Sequence, residues 1–293
     1  MYVIVGANGF LGSYILRALT AEAREDVWAV GVHVSARQDG DGVRWIKCDV
    51  TEPEEVLSLS EAARECAAPV NVIYLAALHH PDRVEAEPRL AWDINVTALS
   101  RFLNRFWFAR RFIYVSTDSV YGEGGLTRRF REGDPPDPVN RYGVQKVVAE
   151  ALVRGYGFQV VRLPFLIGPS LVPGRMHFYD QIVRTVTSGK PMEMFTDAYR
   201  STLSFQQAAG FIAWLSRCEG EIPTLLNVCG DEALSKYEVG LRIARRLGAP
   251  EGLIVPIEMA CGGIFAVKRA STTIMDNGLL KRTLGIRSVF FEL

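Results

Sequence analysis

The run GANGFLG at residues 6–12 lies between an apolar strand-like run, YVIV (2–5), and a helix-like run, SYILRAL (13–19). Glycines at 6, 9 and 12 in that setting meet three backbone demands of a phosphate-binding turn. Gly6 permits the tight turn, Gly9 lets the backbone approach a pyrophosphate, and Gly12 lets the helix pack on the strand. The helix then opens with unpaired N–H groups and a partial positive charge toward the anion. Asn8, Phe10 and Leu11 complete the loop as candidate cofactor contacts. A tight turn that holds no ligand is the alternative.

The rest of the pattern fixes the fold class in which such a turn occurs. Strand-like runs recur at VWAVGV (27–32), VIYLA (72–76), RFIYVS (111–116) and FQVVRL (158–163), with helical stretches at 10–21, 53–66, 88–106 and 141–154. The strand runs are apolar on both faces, as buried parallel strands are, and their alternation with helices implies right-handed βαβ units. The expected fold is α/β. A Rossmann-type doubly wound parallel sheet is expected over residues 1–167 to bind a dinucleotide, with a smaller C-terminal lobe over 168–293. The Pro/Gly-rich segment GPSLVPGRM (168–176) joins them, and a strand in LLNVCG (225–230) is expected to return to the sheet.

Composition narrows the classes. Hydrophobic residues make up 48% and charged residues 23% of the 293, the balance of an ordinary globular protein. The net charge is zero, which gives no basis for binding nucleic acid or an acidic membrane. The five cysteines (48, 66, 218, 229 and 261) are odd in number and form no C-x-x-C. That argues for reduced thiols and against a disulfide framework or a metal site. The chain opens on a strand without a signal-peptide pattern, and no apolar run approaches the ~20 residues of a membrane span. A cytoplasmic protein is expected.

A dinucleotide fold that prefers NAD usually has an acid at the end of its second strand, accepting from the ribose 2′-hydroxyl. Here that position falls near Gly31, and no acid appears until Asp39. Without the carboxylate a 2′-phosphate is not repelled, and Ser35 and Arg37 are candidates to bind it. NADP(H) is therefore favoured over NAD(H), with a solvated Arg37 as the alternative.

These segments, with others along the chain, are similar to the extended short-chain dehydrogenase/reductase family of nucleotide-sugar epimerases, dehydratases and reductases. The resemblance runs in order through GANGFLGS, CDVTEPEEV, VIYLAAL, DINVTAL, VSTDSVYG, YGVQKVVAE, VVRLPFLIGP and LLNVCGDEALSKYEV. It implies cofactor contacts at Asp49 with Val50, at Leu75, Ala76 and Ala77, at Asn95 and at Pro164. It also implies that Tyr142 is the general acid/base, that Lys146 tunes it and holds the nicotinamide ribose, that Thr117 hydrogen-bonds the substrate oxygen, and that the lobe over 168–293 binds substrate. Residues i and i+4 share a helix face, so the tyrosine and lysine fall one turn apart. Free tyrosine titrates near 10, and a neighbouring ammonium favours its phenolate.

Departures from the family pattern narrow the reaction. Where the dehydratases have an Asp-Glu pair, this chain has Asp118-Ser119, and serine cannot serve as the base for dehydration. Epimerases often have asparagine where Phe165 stands; dTDP-4-dehydrorhamnose reductases have an aromatic there and a similar Ser/Thr-Thr-Asp run. Arg200 and Arg269 match family positions that bind the nucleotide pyrophosphate, and His79, followed by His80, lies on a loop near the expected substrate. The implied activity is NADPH-dependent reduction of a keto group, at C4, on a nucleotide-activated sugar. The alternatives are an NAD-dependent nucleotide-sugar epimerase and a non-catalytic dinucleotide-binding regulatory subunit. Homodimeric assembly is left open.

Overall fold

Short runs of Val, Ile, Tyr and Trp build the central sheet of the computed structural model, which describes residues 1–21, 26–34, 42–259 and 265–293. The chain divides into two units. The first comprises Met1–Thr117, Arg141–Arg162 and Ala209–Leu226, and the second Asp118–Asn140, Leu163–Ala208 and Asn227–Leu293. Both are discontinuous; the sequence reading places the main division at 167, with the strand near 225–230 returning to the sheet. Segments 118–140 and 209–226 each pack with the unit that the other half of the chain supplies.

In the first unit the strands are β1 (Tyr2–Val5), β2 (Val27–Gly31), β3 (Val43–Lys47), β4 (Asn71–Tyr74), β5 (Arg111–Thr117) and β6 (Gln159–Leu163). With the strand Leu225–Asn227 they form one sheet in the order Leu225–Asn227, β6, β5, β4, β1, β2, β3. The pairings from β3 through β5 are all parallel. The order reverses between β1 and β4, the point where doubly wound sheets bind ligands beyond their carboxyl ends. Val5 pairs with Tyr74 at that edge, so Gly6 and Leu75 leave the sheet side by side, while β5 runs on to Thr117.

The helices of this unit are α1 (Phe10–Thr20), α2 (Pro53–Arg64), α3 (Pro81–Ala86), α4 (Pro88–Trp92), α5 (Ala98–Arg105) and α6 (Arg141–Gly155). The helix expected over 88–106 is interrupted by a π turn at Asp93–Thr97, which carries Asn95. Strand β3 was not anticipated. Its sequence VRWIK is half exposed at the sheet edge, so it lacks the uniformly apolar signature of the inner strands. A core of Tyr74, Phe102, Phe106, Phe112 and Phe158 fills one face of the sheet.

The second unit is assembled from short strands and four-turn or shorter helices. Tyr199–Arg200 lies between Leu234–Ser235 and Thr272–Thr273, and Met192–Phe195 pairs in parallel with Ile254–Ile257. Helices Phe178–Thr187 and Lys236–Arg246 cover its core of Ile182, Val186, Met194, Val239 and Ile243. No helix among the described residues is long and apolar enough to cross a membrane.

Candidate active site

The glycine loop folds as a cradle. Gly6 has φ +86°, a conformation that side chains disfavour, and its N–H donates to Val30 O at 2.9 Å. A Cβ on Gly12 would lie 2.5 Å from Gly6 O and 2.8 Å from Ala7 Cα, so helix α1 can approach β1 this closely only with glycine there. Gly9 is the N-cap and provides no side-chain cap, which leaves the first-turn N–H groups of Leu11 and Gly12 directed at whatever sits before the helix. This geometry fits a dinucleotide pyrophosphate.

The end of β2 lies against Asn8. A Cβ at Gly31 would meet the Asn8 side-chain amide at 2.9 Å, so that amide occupies the space. Asp49 is half-buried; Oδ1 accepts from Thr51 N (2.9 Å) and Thr51 Oγ1 (2.7 Å), and Oδ2 makes no hydrogen bond among the described residues. Its open oxygen is suited to an adenine amino group. Val50 is buried beside it, and Leu75, Ala76 and Ala77 follow β4 past Gly6. Ser35 and Arg37 lie outside the described residues.

Tyr142 and Lys146 occupy the first turns of α6, with Lys146 Nζ 5.9 Å from the centre of the Tyr142 ring. Both are buried. Lys146 Nζ donates to Tyr114 Oη (2.9 Å) and Val115 O (3.0 Å), and lies 4.5 Å from the centre of the Tyr114 ring. An ammonium has three N–H groups, so one is left for a ligand. Burial brings Lys146 down from 10.5 to about 7, against the opposing pull of Glu150. The lysine therefore holds its charge below neutral pH and loses it above. Thr117 ends β5, two residues beyond the carbonyl that clamps the lysine.

Two polar arrangements set this geometry, and sequence reasoning missed most of their members. Asn95 Oδ1 accepts from Leu78 N (2.8 Å), while Nδ2 donates to Leu78 O (3.0 Å) and Gln145 Oε1 (2.7 Å). Its side-chain valences are thus spent on tying the loop after β4 to α6. Buried Gln145 Nε2 has no partner among the described residues. Beneath the turn that carries Tyr142 and Lys146, the Glu150 carboxylate accepts from Ser116 Oγ (2.5 Å), Arg162 Nε (2.9 Å) and Arg162 Nη2 (2.5 Å). That buried pair locks α6 to β5 and β6. Glu150 and Arg162 both lie inside the recognised segments, yet only their shared burial reveals the link.

The residues expected to meet substrate divide differently. In the second unit, Arg200 Nε faces Asp118 Oδ2 at 3.1 Å, Nη1 donates to Tyr199 O (2.8 Å) and Ser271 O (2.6 Å), and Nη2 donates to Ala270 O (2.6 Å). Four of its five N–H groups point at protein oxygens, which removes the fork needed for bidentate phosphate binding. Asp118 is buried and also accepts from Thr273 Oγ1 at 2.5 Å. The two residues expected on substrate are paired with each other. Ser119 follows in a short 3₁₀ turn. Arg269 stacks on Phe265, its guanidinium carbon 3.9 Å from the ring centre. Phe165 is half-buried against Phe178, edge to face at 6.1 Å, and Pro164 before it is buried. In the first unit, His79 and His80 are exposed, and His80 precedes α3. No cluster of potential metal ligands occurs among the described residues.

Comparison with known proteins shows the family and the fold. The family described as RmlD substrate binding domain matches residues 1–292. The probable low-salt glycan biosynthesis reductase Agl14 of Haloferax volcanii is 28% identical over 267 residues, covering 89% of this chain and 85% of that protein. Methionine adenosyltransferase 2 subunit beta of Xenopus tropicalis is 27% identical over 269 residues, covering 87% and 74%. Among solved structures, dTDP-4-dehydrorhamnose reductase from Bacillus anthracis in complex with NADP superposes with a TM-score of 0.79 at 20% identity, over 99% of this chain and 93% of that one. The last likeness is one of fold.

Proposed function

The chain belongs to the RmlD substrate binding domain family, and from that premise we propose that it reduces a keto group, at C4, of a nucleotide-activated sugar, with NADP(H) as cofactor and Tyr142 as proton donor. It is an NAD(P)-dependent oxidoreductase of the extended short-chain dehydrogenase/reductase type. The observation that carries the proposal is the Lys146 ammonium, fixed one turn from Tyr142 by Tyr114 Oη and Val115 O with one N–H to spare.

The glycine cradle would hold the cofactor, which when bound would supply the hydride for the carbonyl carbon. Tyr142 delivers its phenolic proton to the carbonyl oxygen as negative charge develops there, and Thr117 hydrogen-bonds the same oxygen. Lys146 stabilises the phenolate left behind, and its remaining N–H would hold the cofactor ribose. Asn95 and Glu150 act indirectly, by holding α6 against β5. In the second unit, Arg269 takes the nucleotide phosphate role, and Arg200 serves as the strut that fixes Asp118. Serine at 119 lacks the carboxylate that dehydration needs.

A second reading, a dinucleotide-binding regulatory subunit, is favoured by the likeness to methionine adenosyltransferase 2 subunit beta. Retention of Thr117, Tyr142 and Lys146 supports catalysis instead. One measurement separates them: single-turnover oxidation of NADPH with a 4-keto nucleotide sugar. The parent should oxidise cofactor stoichiometrically, whereas an epimerase leaves no net oxidation and a regulator leaves none at all. Tyr142→Phe should still bind NADPH and lose roughly 10²–10⁴ in rate, the contribution of a positioned acid. A Phe variant as fast as the parent would remove Tyr142 from the chemistry.

A further inference from the structure

Lys236 is the first residue of the helix Lys236–Arg246, and its surroundings are costly for a cation. Its ammonium lies 5.2 Å from the centre of the Phe178 ring and 5.6 Å from those of Phe165 and Phe195. Ring faces attract a cation but accept no conventional hydrogen bond. Among the described residues the Lys236 side chain makes no hydrogen bond and no ion pair, although it is only half exposed. The charges that act on it most are Arg200 and Arg269, both repulsive. Burial, then those guanidinium groups, bring it down from 10.5 to about 8. A charged amine held among apolar rings without a counter-ion is a group whose partner is a ligand.

The aromatic walls continue from this point. Phe195 lies tilted against Phe265, ring centres 5.7 Å apart, and Phe265 underlies Arg269. Ser235, the N-cap, is committed to Glu238, whose backbone N–H it caps while Glu238 Oε2 returns to the Ser235 N–H. The side chain therefore projects from a rigid helix start. Arg200 is consumed by Asp118 and three carbonyls, so of Arg200 and Lys236 the cation equipped to join Arg269 in receiving an anion is the lysine.

We propose that Lys236, in its cage of Phe165, Phe178 and Phe195, binds a phosphoryl group of the substrate's nucleoside diphosphate. The assignment rests on the nucleotide-sugar reading above and replaces Arg200 with Lys236 in the phosphate contact. A lysine suits this place because its charge is compact and its methylene stem packs on the rings.

The test uses the whole chain and titration calorimetry with a nucleoside diphosphate, the corresponding nucleoside, and NADPH. Lys236→Met keeps the stem and its packing while removing the charge. It should weaken nucleoside diphosphate binding by about 10- to 100-fold, the worth of a charge-assisted hydrogen bond. Nucleoside and NADPH affinities should stay at parent values, and Lys236→Arg should recover part of the loss. A Met variant that binds the diphosphate as tightly as the parent overturns the assignment and leaves the nucleotide-sugar reading standing. Equal losses for nucleoside and diphosphate overturn it too, because the cage would then be purely structural. A parent protein that binds no nucleoside diphosphate overturns both.

Discussion

Replacing Tyr114 by phenylalanine removes one oxygen from beside Lys146 and leaves the ring 4.5 Å away in place. The lost contact is the 2.9 Å hydrogen bond from Nζ to Tyr114 Oη, between two buried groups where solvent screening is weak. A hydrogen bond to a charged partner contributes about 1.5–3 kcal/mol. Since 1.36 kcal/mol corresponds to one pH unit of titration, the ammonium should lose its proton roughly one to two pH units lower. The parent lysine already titrates at about 7 because burial outweighs the attraction of Glu150. The other groups near its nitrogen, Val115 O and the rings of Tyr114 and Tyr142, are retained.

The sign follows from what the ammonium does. Proton delivery by Tyr142 leaves a phenolate, and the neighbouring positive charge stabilises it. The rate therefore falls as pH rises through the lysine titration, near neutrality in the parent and roughly one to two units lower in Tyr114→Phe. The assay is kcat/KM against pH with NADPH and a 4-keto nucleotide sugar, which reports groups of the free enzyme. Because Tyr142 and Lys146 interact, the limb belongs to the pair. A packing defect would lower the rate equally at every pH without moving the limb. A limb that stays in place, or moves to higher pH, would refute the role of Tyr114 as the residue that sustains the lysine charge.

Gly12→Ala places a Cβ 2.5 Å from Gly6 O, where only backbone can move, so it should cost about 1–3 kcal/mol of stability and much of the cofactor affinity. Gly9→Ala, whose Cβ meets Gly6 O at 3.2 Å, should melt closer to the parent; identical melting and cofactor affinity in both variants would remove the cradle from the account. Cofactor preference is checked by direct binding: NADPH should bind more tightly than NADH, and Arg37→Ala should narrow the gap by roughly 1–3 kcal/mol. Equal affinities in the parent would contradict the inference drawn from Gly31.

The parts of the molecule legible in the sequence are those whose chemistry is local. The glycine loop is recognisable because each glycine answers a backbone demand within seven residues, and Gly6 and Gly12 meet those demands in the structure. The inner strands are recognisable because burial on both faces leaves them uniformly apolar. Strand β3 escapes the same criterion, since at an edge VRWIK needs only one buried face. The π turn at Asp93–Thr97 escapes because one surplus residue within a helix leaves hydrophobic periodicity almost unchanged.

Arg200 and Lys236 mark the limit of that legibility. By residue type, an arginine at a strand end and a lysine at a helix start are each ordinary surface charges, and family position favoured the arginine as the phosphate ligand. Their roles are set by partners far away in sequence. Asp118 and the carbonyls of Ala270 and Ser271 converge on Arg200, whereas Phe165, Phe178 and Phe195 converge on Lys236. Four oxygens satisfy the first cation and three rings isolate the second. A phosphoryl group arriving at Arg200 must displace bonds already made, but at Lys236 it supplies an acceptor that the described residues do not. The difference lies in the cost of freeing each donor, which is why the lysine, and not the arginine that the family pattern points to, is the stronger candidate for the anion.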